Sequence, residues 1–204
     1  MEVQERIRQK ADELFRRYGI RSVTMDEIAA QLGMSKKTIY QFYADKDQLV
    51  DAVAVDEIQF SQDCCLRDMA VSANAIEEIF RVMEFVEIMF RNMNPSMLYD
   101  LEKYHPAGYK KFLEHKNKFL YDMIKRNLER GIKEELYRPE MNVEIMTRYR
   151  LESMMLALNT EIFSPAKFNL VELQREIIEH FLYGVSTLKG YKLILKYKQQ
   201  RINH

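Results

Sequence analysis

Residues 24 to 49 read TMDEIAAQLGMSKKTIYQFYADKDQL, and this stretch decides the fold. Thr24, Ser35 and Asp45 each stand where a helix should begin, because a short oxygen-bearing side chain accepts a hydrogen bond from a first-turn amide that has no partner inside the helix. Each start carries a second signal. The residue before the cap and the residue five further on are both apolar, pairing Val23 with Ile28, Met34 with Ile39 and Ala44 with Leu49 as hydrophobic staples. Thr24 with Glu27 completes a capping box, and Asp45 with Gln48 a weaker one. Three starts within about 20 residues leave room only for short helices, roughly 25 to 32 and 36 to 43, before a third opens at Lys46. Gly33 falls just past the first of them, where a left-handed residue ends a helix.

Two short helices joined by a tight Gly-containing turn match the helix-turn-helix geometry, in which the second helix lies in the major groove with its N-terminal residues at the base edges. Here those residues are Ser35, Lys36, Lys37 and Thr38. Two lysines in a first turn oppose the helix dipole at a cost of about 0.3 to 1 kcal/mol each, which points to an anionic partner. Tyr40, Gln41, Phe42, Tyr43 and Lys46 follow, with hydroxyls and a cation suited to phosphate oxygens. Lys46 also opens a helix whose first amides can face a phosphate.

At this point the segment resembles a known family. Thr24, Ile28, Ala29, Gly33, Ser35, Lys37, Thr38, Ile39, Tyr40, Tyr43, Lys46 and Leu49 are similar to the N-terminal signature of the tetracycline-repressor (TetR) family of bacterial transcriptional regulators. In that signature a Thr opens the second helix and a Tyr-x-x-Phe-x-x-Lys run closes the third. Tyr43 stands where the family has Phe, and Phe42 stands where a phosphate-contacting His is common. The resemblance implies that Thr24, Ser35, Thr38, Tyr40 and Lys46 position the DNA backbone, and that Lys36, Lys37 and Gln41 meet base edges. It also implies an all-α fold of about nine helices, with a three-helix DNA-binding head over residues 1–50 and a helical ligand-binding and dimerisation domain over residues 51–204.

Composition agrees with that outline. The chain balances 31 basic against 31 acidic residues, so bulk electrostatic coating of nucleic acid is disfavoured and local, specific docking is the consistent mode. Four prolines, six glycines and the lack of alternating runs favour helices throughout. The N-terminal MEVQERIRQK is too polar for a secretory signal and no apolar stretch approaches a membrane span, so a cytoplasmic protein without membrane association is expected. Ile28, Ala29, Leu32, Ile39, Phe42 and Leu49 recur at helical spacing and are expected in the core. A bracing first helix should place Ile7, Ala11, Leu14, Phe15 and Tyr18 on one face and stop at Gly19.

Beyond the head, a helix from about Lys46 to Ala70 should lead into the second domain without a flexible linker, and such an element can carry tilt to the head. Further helices are expected over about 74 to 93, after Pro95, from Pro106 to Glu134, from Pro139 or Asn142 to Phe163, and from a cap at Asn169. The long one should turn Tyr109, Phe112, Leu113, Phe119, Leu120, Met123 and Ile124 inward. The last two carry wide apolar faces, with Ile145, Met146, Tyr149, Met154, Met155 and Leu158 on one, and Leu173, Ile177, Ile178, Phe181, Leu182, Val185 and Leu188 on the other. Faces of that width suit a homodimer built as a four-helix bundle, which would set two heads on a palindromic double-stranded operator.

Thirteen methionines interleave with Phe and Tyr, a composition that fills helical cores and also lines adaptable apolar pockets. By resemblance, a pocket for a small hydrophobic effector is expected near Phe85, Met89, Tyr109, Phe112, Phe119, Met123 and Met154. Cys64 and Cys65 are adjacent and lack the cationic surroundings of an activated thiolate, and the basic run from Lys189 to Arg201 reads as a solvated helix end. His105, His115 and His180 show no metal spacing, and no cofactor fingerprint, phosphate loop, nucleophile elbow or catalytic carboxylate pair appears, so an enzyme is not expected. Two readings stand. One is a ligand-responsive, homodimeric, sequence-specific repressor; the other is a helical interaction or scaffold protein that keeps the helix-turn-helix only as structure.

Overall fold

The caps close as their spacing demands. In the computed structural model, which describes residues 2–202, Thr24 Oγ1 accepts from the Glu27 amide at 3.2 Å while the Glu27 carboxylate accepts from the Thr24 amide at 2.7 Å. Gly33 then ends the helix in the left-handed region at φ 64. The chain continues in this style as α1 (Val3–Tyr18), α2 (Met25–Leu32), α3 (Lys36–Tyr40), α4 (Lys46–Val71), α5 (Ala75–Phe90) and α6 (Met97–Tyr104). After these come α7 (Pro106–Glu114), a π-turn (His115–Leu120), α8 (Tyr121–Lys133), α9 (Val143–Leu156), α10 (Leu170–Val185) and α11 (Leu188–Ile202). Among the described residues there is no strand, only an isolated bridge between Tyr137 and Ser186. No helix among them is long and apolar enough to cross a membrane. The fold is all-α.

Two compact units result. The first takes the residues up to Ser61 together with Asn92–His115; the second takes Gln62–Arg91 and the residues from Lys116 onward.

In the first unit the buried side chains of α1, Ile7, Ala11, Leu14 and Phe15, meet Ile28 and Ala29 of α2, Ile39 of α3, and Leu49, Val50 and Val53 of α4. The turn after α1 is held by the segment leading into α6. The Asn94 amide donates to Arg16 O at 2.6 Å, and the Arg21 amide donates to the buried Asp100 carboxylate at 3.0 Å. Gly19 between them has φ 83, and a Cβ there would meet Ser96 Oγ at 3.0 Å. Only glycine combines that backbone with so close an approach.

Three expectations are corrected here. α3 stops at Tyr40 rather than running to residue 43. The Tyr43 amide still donates to Ile39 O at 3.0 Å, which stacks Tyr43 over Ile39 in the core and leaves Phe42 outside, 39% exposed. The buried Tyr43 keeps its hydroxyl at the edge, where Arg8 donates to it at 3.4 Å. Tyr18, last in α1, is likewise outside the core, with Arg17 over its ring at 5.1 Å.

The second unit closes around α5. Ala75, Ile76, Phe80 and Met83 pack with Leu128 of α8, with Ile178, Phe181, Leu182 and Val185 of α10, and with Ile194 of α11. A buried polar network stitches the corner between α5 and α8. Arg130 pairs with Glu78 at 3.2 Å and Glu134 at 2.7 Å and donates to Ser72 O at 2.8 Å. Burial lifts the Glu78 carboxyl above the ordinary range, while Asn127 and Arg130 pull it back. Tyr137, fully enclosed, donates to Asn127 Oδ1 at 3.2 Å, and burial pushes its phenol upward.

Helix ends in this unit also differ from expectation. The run from Pro106 to Glu134 is interrupted by the π-turn, whose wider winding shifts the inward row, so Met123 is buried while Tyr109, Phe112, Leu113, Phe119, Leu120 and Ile124 are half-buried. α9 ends at Leu156 instead of Phe163, and Asn159 Oδ1 then accepts the amides of Glu161 and Ile162 at 2.9 and 3.2 Å. A side chain that captures those amides competes with continued helix. On α9, Ile145 and Tyr149 point to solvent. α10 ends at Val185 because the strand-like Ser186 pairs with Tyr137 and the Thr187 amide donates to Leu136 O at 2.9 Å. The basic run that follows is thus a helix of its own, with Ile194 buried and Leu188 exposed.

Two glycines separate packing from propensity. A Cβ on Gly131 would lie 2.0 Å from the Tyr137 ring, whereas one on Gly184 would meet nothing within 4 Å. Gly131→Ala should therefore lower stability by about 1 to 3 kcal/mol through overpacking. Gly184→Ala should raise it by about 0.4 to 1 kcal/mol, since only helix propensity changes. Urea denaturation of both variants measures the two signs.

Candidate nucleic-acid interface

α3 has five residues, too few to hold a helix without outside support. Ser35 supplies one end of that support, accepting from the Thr38 amide at 3.1 Å while its hydroxyl meets Thr38 Oγ1 at 2.9 Å. Ile39, with no exposure, supplies the other by packing into the first core. With the back of the helix fixed in this way, its outer row is determined. Lys36, Lys37, Tyr40 and Gln41 are all exposed, and Thr38 is half-buried beside them.

The two lysines differ. Lys36 Nζ donates to Asp26 at the start of α2 at 2.8 Å and stands 5.9 Å from the Tyr40 ring centroid, and the hydrogen bond to Asp26 raises its pKa. Lys37 is exposed, and its side chain makes no hydrogen bond or ion pair with any described residue. One cation is held in place and the other is open to a partner. A partner anion has to compete with Asp26 for Lys36 but not for Lys37.

Thr24 and Lys46 frame the helix pair. Thr24 is exposed but both its amide and hydroxyl donate to Glu27, whose carboxyl these bonds hold below the ordinary range. Lys46 is half-buried, donates to Ile20 O at 2.6 Å and lies 5.9 Å from the Phe15 ring centroid. Burial lowers its pKa against the pull of Asp100 and Asp47. It therefore ties the start of α4 to the end of α1 whatever else it touches. Asp47 beside it accepts from His105 Nδ1 at 2.7 Å, and Lys111 of α7 reaches Asp51 at 2.5 Å.

Two residues of the interface escaped the sequence reading. Asp26 controls Lys36 from ten positions away, and Asp100 fixes the Arg21 amide from 79 positions away. Arg21 itself is exposed, three residues ahead of the Thr24 cap, with its guanidinium 5.2 Å from the Tyr104 ring centroid. Only its proximity to a helix start hinted at it.

The residues expected to hold an effector fall in both units. Tyr109 and Phe112 stack on each other on α7 of the first unit, with ring centroids 6.2 Å apart. Phe85 and Met89 on α5, Phe119 in the π-turn, Met123 on α8 and Met154 on α9 belong to the second. A cleft of about 730 Å³ in the second unit is lined instead by Glu77, Phe80, Arg81, Glu84, Tyr197, Gln200 and Arg201.

The segment that builds this interface has known counterparts. A family model described as bacterial regulatory proteins, tetR family, matches residues 7–53. Over 88 residues the chain is 35% identical to the uncharacterized HTH-type transcriptional regulator YvaF of Bacillus subtilis, a match that covers 41% of this chain and 45% of the relative. The matched region thus spans less than half the length of the first curated relatives. Among solved structures, a TetR-family transcriptional regulator from Agrobacterium tumefaciens superposes with a TM-score of 0.75 at 15% identity, covering 90% of this chain and 97% of that one. FadR of Thermus thermophilus, a TetR-family transcriptional repressor in complex with lauroyl-CoA, superposes with a TM-score of 0.57 at 21% identity, covering 90% and 95%. Those likenesses establish the fold. The family model covers the same α1 to α4 head whose caps, five-residue helix and exposed lysines are described above, and over those residues the chain is similar to the tetR family of bacterial regulatory proteins.

Proposed function

We propose that the protein is a sequence-specific DNA-binding transcriptional regulator, a homodimeric repressor that holds a palindromic operator until a small hydrophobic effector releases it. The observation that carries this reading is the outer row of α3. Four exposed polar side chains, Lys36, Lys37, Tyr40 and Gln41, project from a helix whose only buried anchor is Ile39. A helix kept merely as structure would not need two lysines in its first turn against its own dipole. Tyr40 of that row, with Thr24, Ser35, Thr38 and Lys46 around it, is assigned to phosphates, and Lys36, Lys37 and Gln41 are assigned to base edges.

Dimerisation is assigned to α9 and α10. Ile145, Tyr149 and Leu156 recur at helical spacing on the solvent side of α9 and are 62%, 49% and 42% exposed. An apolar row of that kind is uncommon on a monomer and suits a two-fold helix pair. Effector response is supported by FadR, whose structure holds lauroyl-CoA, and by the apolar composition of the second unit. Within that unit Phe85, Met89, Phe119, Met123 and Met154 are the assigned effector contacts.

Binding assays on a site selected from random DNA test the head. Lys37→Ala should weaken specific binding by about 1 to 3 kcal/mol while leaving thermal stability unchanged, because its exposed side chain makes no hydrogen bond or ion pair with any described residue. Lys46→Ala should reduce affinity for every sequence, flatten the salt dependence by about one unit, and also lower the melting temperature, because the bond to Ile20 O is lost. Full affinity in both variants would remove the DNA assignment. For the dimer, Ile145→Glu should shift the chain to a monomer in analytical ultracentrifugation and weaken operator binding with it.

A further inference from the structure

Arg150 lies inside the second unit without a counter-charge. The residue is 4% exposed, and its Nη1 has no hydrogen-bond partner among the described residues. Its acidic neighbours along α9 are already engaged, Glu144 with Arg148 at 2.9 Å and Glu152 with Lys116 at 2.9 Å. Nearby hydroxyls are turned to the backbone: Thr147 donates to Val143 O at 2.7 Å and Ser153 to Arg150 O at 2.8 Å. What faces the guanidinium is the Phe181 ring, with its centroid 5.5 Å from Cζ, and that ring stacks on Tyr149 at 6.3 Å.

The same unit shows how it houses a guanidinium that serves only structure. Arg130 has two carboxylates and a carbonyl around it. Arg150 has an aromatic face, which attracts the cation but accepts none of its in-plane N–H groups. Burial pushes its pKa down to about 10, which still leaves it charged at neutral pH. A buried, hydrogen-bond-deficient cation destabilises a protein, and an anion seated against it would offset that cost.

We propose that Arg150 anchors the carboxylate of an amphipathic effector, whose apolar body lies against Phe181 and the methionines on the same face of α9. Met146 and Met154 stand four residues to either side of Arg150, which puts all three on one helix face. The planar N–H fork of arginine matches the two oxygens of a carboxylate. One cation also compensates one negative charge, whereas a phosphate monoester, with a charge of about −1.5 to −2 at pH 7, would leave a buried excess. The inference rests on the reading of the second unit as the effector domain, and it specifies the class of effector.

The test compares acids with alcohols of matching shape on the full chain, by calorimetry and thermal shift, using octanoate against octanol and phenylacetate against phenethyl alcohol. The parent should bind each acid about tenfold or more tightly than its alcohol, as a charge-assisted pair would give. Arg150→Met should lose that preference while melting no lower than the parent, because an unpaired buried charge has been removed. Should the Met variant not fold, Arg150→Lys, which keeps the charge without the fork, should show a reduced preference. Acids that bind no better than alcohols, acids that do not bind, or a preference that survives both substitutions would each overturn the assignment. DNA binding is measured first in the same samples: a chain that binds no selected DNA removes the regulator reading itself, whereas release of DNA by the alcohols alone keeps that reading and removes the carboxylate.

Discussion

The burial of Ile39 behind a helix of five residues is the constraint on which the head depends. So short a helix has no stability of its own, because nucleation costs more than one or two hydrogen bonds return. It exists because Ser35 accepts from the Thr38 amide of its first turn and because Ile39, with Tyr43 one turn later, is fixed in the core formed by α1, α2 and α4. Once those two side chains point inward, the orientation of Lys36, Lys37, Tyr40 and Gln41 is no longer free. The cost of presenting them is met by the core and not by the helix, which allows the outer row to be polar and poor in helix-stabilising charge.

Carboxylates and carbonyls placed far along the chain finish the job. The Asp100 carboxylate receives the Arg21 amide, Lys46 reaches back to Ile20 O, and Asn94 donates to Arg16 O. Gly19 is the backbone position that lets these groups approach. These bonds make the first unit more than a three-helix head, since α6 and α7 share its fold. In the second unit, Arg130 plays the comparable role, gathering Glu78, Glu134 and Ser72 O at one corner.

What could be read from the chain alone was local. Thr24, Ser35, Asn142 and Asn169 act within three residues of themselves, so their caps were visible, and the apolar spacing of α1 and α10 was visible for the same reason. Ends set by distant groups were not. Ser186 stops α10 because residues 136 to 138 offer it bridge partners, and a π-turn carries no spacing signature that distinguishes it from ordinary helix. The exposed row of α3 was legible residue by residue, but the capture of Lys36 by Asp26 and the inward reach of Lys46 required the folded chain. Phe42 and Tyr43 show the limit most clearly, since a single position decides which ring enters the core and both are apolar enough to do so.

Selection of bound sites from random double-stranded DNA by the purified chain tests the central claim most directly. A head with a fixed outer row, carried on a two-fold dimer, should enrich a pair of inverted half-sites whose centres lie about 10 base pairs, or a multiple of that, apart. Failure to enrich any sequence over the starting pool, with the protein folded and dimeric, would contradict it.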